Sequence, residues 1–135
     1  MSDGVVVVRG GVAFETPQGL PYRVGVSGSV CGSAGISLSY VVVPPGAVSA
    51  PHYHDGYETA IYQLAGRVET RFGPELAEAV VTEAGDFLFV PPGVPHQAVN
   101  LSETEPAVAL IARNDPEDAE RVVPYEAPGP SSSSR

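Results

Sequence analysis

His52, His54 and His96 are the only histidines in this chain of 135 residues, and their spacing makes them the first candidates for chemistry. His52 and His54 stand at i and i+2 in the stretch Gly46-Ala-Val-Ser-Ala-Pro-His52-Tyr-His54-Asp-Gly-Tyr-Glu58, just after a run that reads as a β-strand. In an extended segment alternate side chains share a face, so the two imidazoles would be presented together. Neutral imidazoles in that arrangement suit one borderline divalent metal, whether Fe, Ni, Mn, Co, Cu or Zn. A lone histidine is ordinarily a core or surface residue. Two on one face, with the carboxylate of Glu58 nearby, point to a site.

His96 returns in a second Pro/Gly-framed segment whose order is Gly85, five residues, Pro91, one residue, Gly93, two residues, His96, three residues, Asn100. Each position has a physical job. Gly85 turns into a strand, Pro91 ends it, Gly93 permits the tight bend, and His96 opens the next strand facing inward. Asn100 reads as a structural pin, because its side chain can bond backbone groups.

The two segments together resemble the cupin family. Gly46, His52, His54, Glu58 and Gly66 match its first motif, and Gly85, Pro91, Gly93, His96 and Asn100 match its second in full. The resemblance implies an all-β fold, a double-stranded β-helix or jelly-roll barrel, holding one metal through His52, His54, Glu58 and His96. It also implies pairing into a homodimer, with an N-terminal strand, here Val5–Val8, added to the neighbour's sheet. One departure stands out: seven residues separate Glu58 from Gly66 where the motif has six. Counted forward from His54 the ligand position falls on Glu58; counted back from Gly66 it falls on Thr59. A β-bulge could absorb the extra residue and keep Glu58 facing the metal. Otherwise Glu58 faces solvent and the site becomes three histidines plus water. With Glu58 inward, Ala60, Tyr62 and Leu64 follow it by alternation, which makes Glu58 and Tyr62 the expected catalytic side chains. Tyr62 as core packing is the alternative.

The elements that must position these groups are short strands broken by Pro and Gly. Val5–Val8, Val12–Glu15, Tyr22–Val26, Ile36–Val43, Thr59–Leu64, Arg67–Phe72, Ala79–Thr82, Phe87–Val90, His96–Asn100 and Ala107–Arg113 all read as strands. Ser27–Gly35 reads as a loop, and the pair flanking Ala65-Gly66 reads as a hairpin. Val-Pro-Pro-Gly occurs at Val43–Gly46 and again at Val90–Gly93, each time ahead of a histidine, which suggests two similar β-units around one centre. Asp115-Pro116-Glu117-Asp118 looks like the start of one short C-terminal helix running to about Val122, with Asp as cap and Pro at the first helical position. Residues 1–126 are expected to form a single domain, and the Pro/Ser-rich residues 127–135 a disordered tail.

A formal charge of −9 argues against nucleic acid and anionic membranes as partners. All seven cations are arginine. Arg67, Arg71 and Arg113 lie on expected strands, where surface exposure is the default and anchoring of a substrate carboxylate the alternative. The single Cys31 cannot make an internal disulfide, which fits a reducing, cytoplasmic setting. These features lead to two functional readings. One is a metal-dependent enzyme on a small organic molecule, either a dioxygenase or an isomerase, cyclase or decarboxylase using Lewis-acid chemistry. The other is a module that binds or senses such a molecule through its metal without turnover.

Overall fold

Strands form where the sequence alternates, and most present apolar side chains on at least one face. The computed structural model describes residues 4–15, 19–118 and 121–126. In chain order the strands are β1 (Val12–Glu15), β2 (Pro21–Val26), β3 (Ser37–Val43), β4 (His52–His54), β5 (Thr59–Ala65) and β6 (Arg67–Phe72). They continue with β7 (Glu78–Glu83), β8 (Phe87–Val90), β9 (His96–Asn100), β10 (Ala107–Arg113) and β11 (Val122–Pro124). Two antiparallel sheets result, a six-stranded one in the order β1-β2-β3-β10-β5-β8 and a five-stranded one in the order β11-β4-β9-β6-β7. This is the expected all-β jelly roll. Its core lies between the sheets, where Leu20, Tyr22, Val41, Val43, Val68, Ala107, Ala109 and Ile111 cluster.

β3 and β10 show how the six-stranded sheet is built. Val41 and Val43 face Ala109 and Ala107 on the inner side, while Leu38, Tyr40, Leu110 and Val108 alternate onto the outer side. Both faces are therefore apolar, the pattern of a sheet meant to be covered on both sides. Leu38, Tyr40, Phe87 and Phe89 are nonetheless exposed on this single chain.

Three expectations change. The pair around Ala65-Gly66 is not a hairpin: β5 bonds to β10 and β8, whereas β6 bonds to β7 and β9. The chain instead crosses from one sheet to the other there. Gly66, at φ +84°, lies so close to β10 that a Cβ would stand 2.7 Å from the Cα of Ala107. The expected C-terminal helix does not form over the described residues. Asp115 Oδ1 accepts the amide of Glu117 in a turn, and Val122–Pro124 pair with β4 instead. Ladder bonds to a strand that needs a neighbour outweigh a modest helix-start signal. A short α-helix, α1, forms instead at Gly28–Cys31, inside the segment read as a loop, with the Ser27 hydroxyl accepting the amide of Val30 at 3.2 Å.

Val5–Val8 also lacks strand structure, and Val5, Val6 and Val7 are exposed. The tail expected at residues 127–135 lies outside the described residues. Among those described, no helix is long and apolar enough to cross a membrane.

Candidate metal centre

Three strands carry the site. β4 and β9 are neighbours, with His52 directly opposite His96, and β5 runs across the gap in the other sheet. The asparagine pin holds the frame. Asn100 Nδ2 donates to the carbonyls of Val43, Pro44 and Glu105, and its Oδ1 accepts the amide of Ser102. One side chain thus ties the two Pro-bounded loops to β9. Ser49 adds a second tie, its hydroxyl accepting the amide of Ala98 at 2.9 Å.

His52, His54 and His96 come together, all buried, with candidate ligand nitrogens within 4.8 Å of one another. Ring centroids lie 4.4 Å apart for His52–His96 and 4.6 Å for His54–His96. Each Nδ1 already has a partner. That of His52 donates to the Ala50 carbonyl at 2.8 Å and that of His96 to the Val94 carbonyl at 3.0 Å. A carbonyl only accepts, so in the neutral rings these contacts fix the proton on Nδ1 and leave Nε2 as the lone-pair donor. The third Nδ1, of His54, meets the hydroxyl of Thr59 at 2.9 Å, which fits the same tautomer. Three neutral imidazoles with oriented Nε2 atoms are the donor set a borderline divalent metal takes.

Glu58 does not join them. It is exposed, its amide donates to Asn114 Oδ1 at 2.8 Å, and its buried neighbours Tyr57 and Thr59 take the inward positions. The extra residue before Gly66 is absorbed, but at the far end of the strand. The pairing of β5 with β10 shifts between Gln63 and Ala65, so alternation from Thr59 to Gln63 runs unbroken. Thr59, Ile61 and Gln63 face the interior and Ala60, Tyr62 and Leu64 the outside. A one-residue difference in register inverts every side chain. Tyr62 accordingly packs against Phe87 on the outer face, ring centroids 4.7 Å apart, away from the histidines.

Other residues enter unannounced by the motifs. Tyr57 is buried and stacked on His54 at 4.9 Å, with the guanidinium carbons of Arg113 and Arg121 5.6 and 5.9 Å from its ring centre. Arg67 and Arg71 lie at the surface against Glu83 and Glu69, as expected. Arg113 does not: it is 2% exposed and donates through Nη2 to the carbonyls of Glu117 and Asp118, fastening that turn to the end of β10. The exposed Arg121 is held more basic than usual by its hydrogen bond to the buried Asp115. The sequence signal for Arg113 was its parity, since it follows Ala107, Ala109 and Ile111 on the inner face of β10.

A cavity of about 80 Å³ adjoins the histidines, walled by Tyr22, Val41, Ile61, Leu88 and Ile111 and floored by the Thr82–Gln63 hydroxyl-to-amide bond. Among its described lining residues there is no carboxylate and no lysine.

A jelly roll whose neighbouring strands β4 and β9 bring three buried histidines together is a small β-barrel with a candidate metal site. The family is the cupins: residues 39–112 match the family described as Cupin domain, and the chain belongs to it. Among solved structures it is similar to the polyketide cyclase RemF from Streptomyces resistomycificus, with a TM-score of 0.69 and 21% identity over 93% of this chain and 87% of that one. It is also similar to the oxalate decarboxylase of Lactobacillus farciminis in its formate complex, with a TM-score of 0.69 and 21% identity over 83% of this chain and 32% of that one. A third is the Bacillus subtilis oxalate decarboxylase, studied for its Mn(II) centres, with a TM-score of 0.67 and 24% identity over 82% of this chain and 30% of that one. The chain thus spans about a third of the length of the decarboxylases it matches. No curated protein matches it.

Proposed function

We propose that this protein is a metal-dependent cupin enzyme acting on a small organic molecule, with His52, His54 and His96 as its metal ligands. The observation that carries this reading is the set of three buried imidazoles, with candidate ligand nitrogens within 4.8 Å of one another and each ring oriented through a partner at Nδ1. A divalent metal held there would supply Lewis-acid polarisation of a carbonyl or enolate, or dioxygen activation if it is redox-active. The protein's own part is to orient and to exclude water. Thr59 and the two backbone carbonyls hold the ligands in one tautomer. The apolar walls Tyr22, Val41, Ile61, Leu88 and Ile111 lower the local dielectric, which strengthens electrostatic interactions inside the cavity. Thr59 stands where a carboxylate would have offset part of the metal's charge. Three neutral ligands leave the full dication to be balanced by an anionic substrate or an enolate.

Non-catalytic binding is the second reading. It is favoured by the outward placement of Glu58 and Tyr62, which leaves no side-chain acid or base other than imidazole on the cavity wall. Metal analysis of the purified protein, with oxygen uptake and product analysis against small enols, catechols and β-diketones, separates the two. Redox-active metal with substrate-dependent uptake supports an oxygenase, and product without uptake an isomerase, cyclase or decarboxylase. Metal and ligand binding without product supports the binding module. No metal after purification and none bound on titration overturns both.

A homodimer in the cytoplasm completes the proposal. The exposed apolar face around Leu38, Tyr40 and Phe87, together with the exposed β-branched run Val5–Val7, suits a second copy of the chain. Light scattering should give twice the chain mass, and Tyr40→Lys should return it to one chain.

A further inference from the structure

The inner cavity cannot hold a large ligand. Its volume of about 80 Å³ is roughly half of the ~150 Å³ that accommodates benzene in a protein interior. A second hollow, of about 300 Å³, lies against the same centre. It opens at the slit between the outermost strand of each sheet, β8 in one and β7 in the other. Thr70, Leu88 and His96 border both spaces, so these residues are the partition between slit and cavity. Phe72, directly opposite His96 on the neighbouring strand, continues the floor, and Val80 forms the rim from β7. His96 is the only titratable side chain among the described residues that line the slit.

We infer that this slit binds the apolar, ring-sized part of the ligand, while its oxygen-bearing end reaches the histidines past Thr70 and Leu88. The inference deepens the proposed function and rests on it for the position of the reacting end. The chemistry of the walls selects the class. A neutral aromatic or branched aliphatic group gains by leaving water for Phe72, Leu88 and Val80, whereas a charged group would lose hydration with no carboxylate or arginine among the described lining residues to pair it. The slit also has the volume that the inner cavity lacks, and it ends on a candidate ligand of the metal. A substrate joining a ring to a carbonyl, enol or phenol oxygen would fill both spaces at once.

The test uses the full chain with isotope-labelled methyl groups and phenol as the probe, with propionate as a charged, ringless control. Phenol should saturably shift the methyl signals of Val80, Leu88, Val90 and Val94, and propionate should not. Val80→Asp should weaken phenol binding at least tenfold, and the milder Val80→Thr should weaken it in the same sense. Shifts confined to outer-face methyls such as Leu38 and Leu110, or an unchanged affinity in both variants, would overturn the slit. So would slit methyls that move on dilution without phenol, which would assign the hollow to a second copy of the chain. In a cobalt-loaded sample, 4-phenylimidazole should bind at least tenfold more tightly than imidazole by the visible spectrum, and Val80→Asp should remove the difference. Failure to take up cobalt would count against the metal centre alone, because the phenol experiment decides the slit without any metal.

Discussion

The hydroxyl of Thr59 lies 2.9 Å from His54 Nδ1, at the inward position where the first cupin motif would place a carboxylate. In the proposed metal site Thr59 is thus a positioning residue for His54 and not a fourth ligand. Fixing a ligand's ring and tautomer through its second nitrogen is typically worth 10–100-fold in metal affinity. Thr59→Val keeps the shape and removes the oxygen. It should weaken zinc or cobalt binding by about that factor, measured by competition with a chromophoric chelator. Thr59→Ser should retain most of the affinity. Equal affinities for all three proteins would deny Thr59 this role.

Glu58 makes the complementary case. It is exposed, and its backbone amide donates to Asn114 Oδ1. Glu58→Ala should leave metal affinity within about twofold, since losing an exposed carboxylate outside the histidine cluster changes little at ordinary ionic strength. A loss of a hundredfold or more in the same chelator competition would put Glu58 back among the ligands.

The contrast between these neighbours shows where the sequence was informative. His52, His54 and His96 could be read from spacing because strand periodicity and the Pro/Gly frame act locally. Asn100 could be read as a pin because its chemistry is that of a backbone mimic. The orientation of Glu58 could not, because it depends on where a single surplus residue is absorbed. The bulge opposite Val108 and Ala109 is decided by the pairing of β5 with β10, more than forty residues away in sequence. The same holds for Ala65-Gly66, where two good strands around a glycine read as a hairpin. Close packing of Gly66 on Ala107 shows that the chain changes sheets there. Tyr57 and Arg113 belong to no motif: Tyr57 is three residues from His54 but nothing in its spacing announces that it stacks on that ring, and only tertiary packing brings Arg113 over Tyr57.

That sheet crossing gives the third prediction. At Gly66 a methyl group would meet the Cα of Ala107 at 2.7 Å, its Cβ at 2.8 Å and the Pro106 carbonyl at 3.1 Å, and φ is +84°. Two of those three neighbours are backbone, which cannot swing aside. Left-handed strain of about 1–2 kcal/mol adds to an overpacking cost of about 1–3 kcal/mol. Gly66→Ala should thus lower unfolding stability by about 2–5 kcal/mol in urea. Gly85 has φ +96° and nothing within 4 Å of the same methyl position, so Gly85→Ala should show the smaller loss that strain alone produces. Equal losses in the two variants would mean that close approach is not what makes Gly66 a glycine.

Acid should weaken the clamp between α1 and the turn after β10. The Asp118 carboxyl is held below its usual range chiefly by the nearby Ser27 hydroxyl, then by the hydrogen bond from Ser29, with a further contribution from the charge of Arg113. A carboxyl with a depressed value in the folded state stabilises that state above the unfolded value, near 3.8. The stabilisation is lost as pH falls through the folded value, because the proton then binds both states alike. Wild type should therefore exceed Asp118→Asn in thermal midpoint at neutral pH, and the gap should narrow below about pH 4 and close in stronger acid. High salt should shrink only the part that comes from Arg113, since hydrogen bonds from neutral hydroxyls are not screened in that way. A gap that stays constant from neutral to acid pH would show that the asparagine variant is merely packing less well, and would remove Asp118 as the group that titrates this clamp.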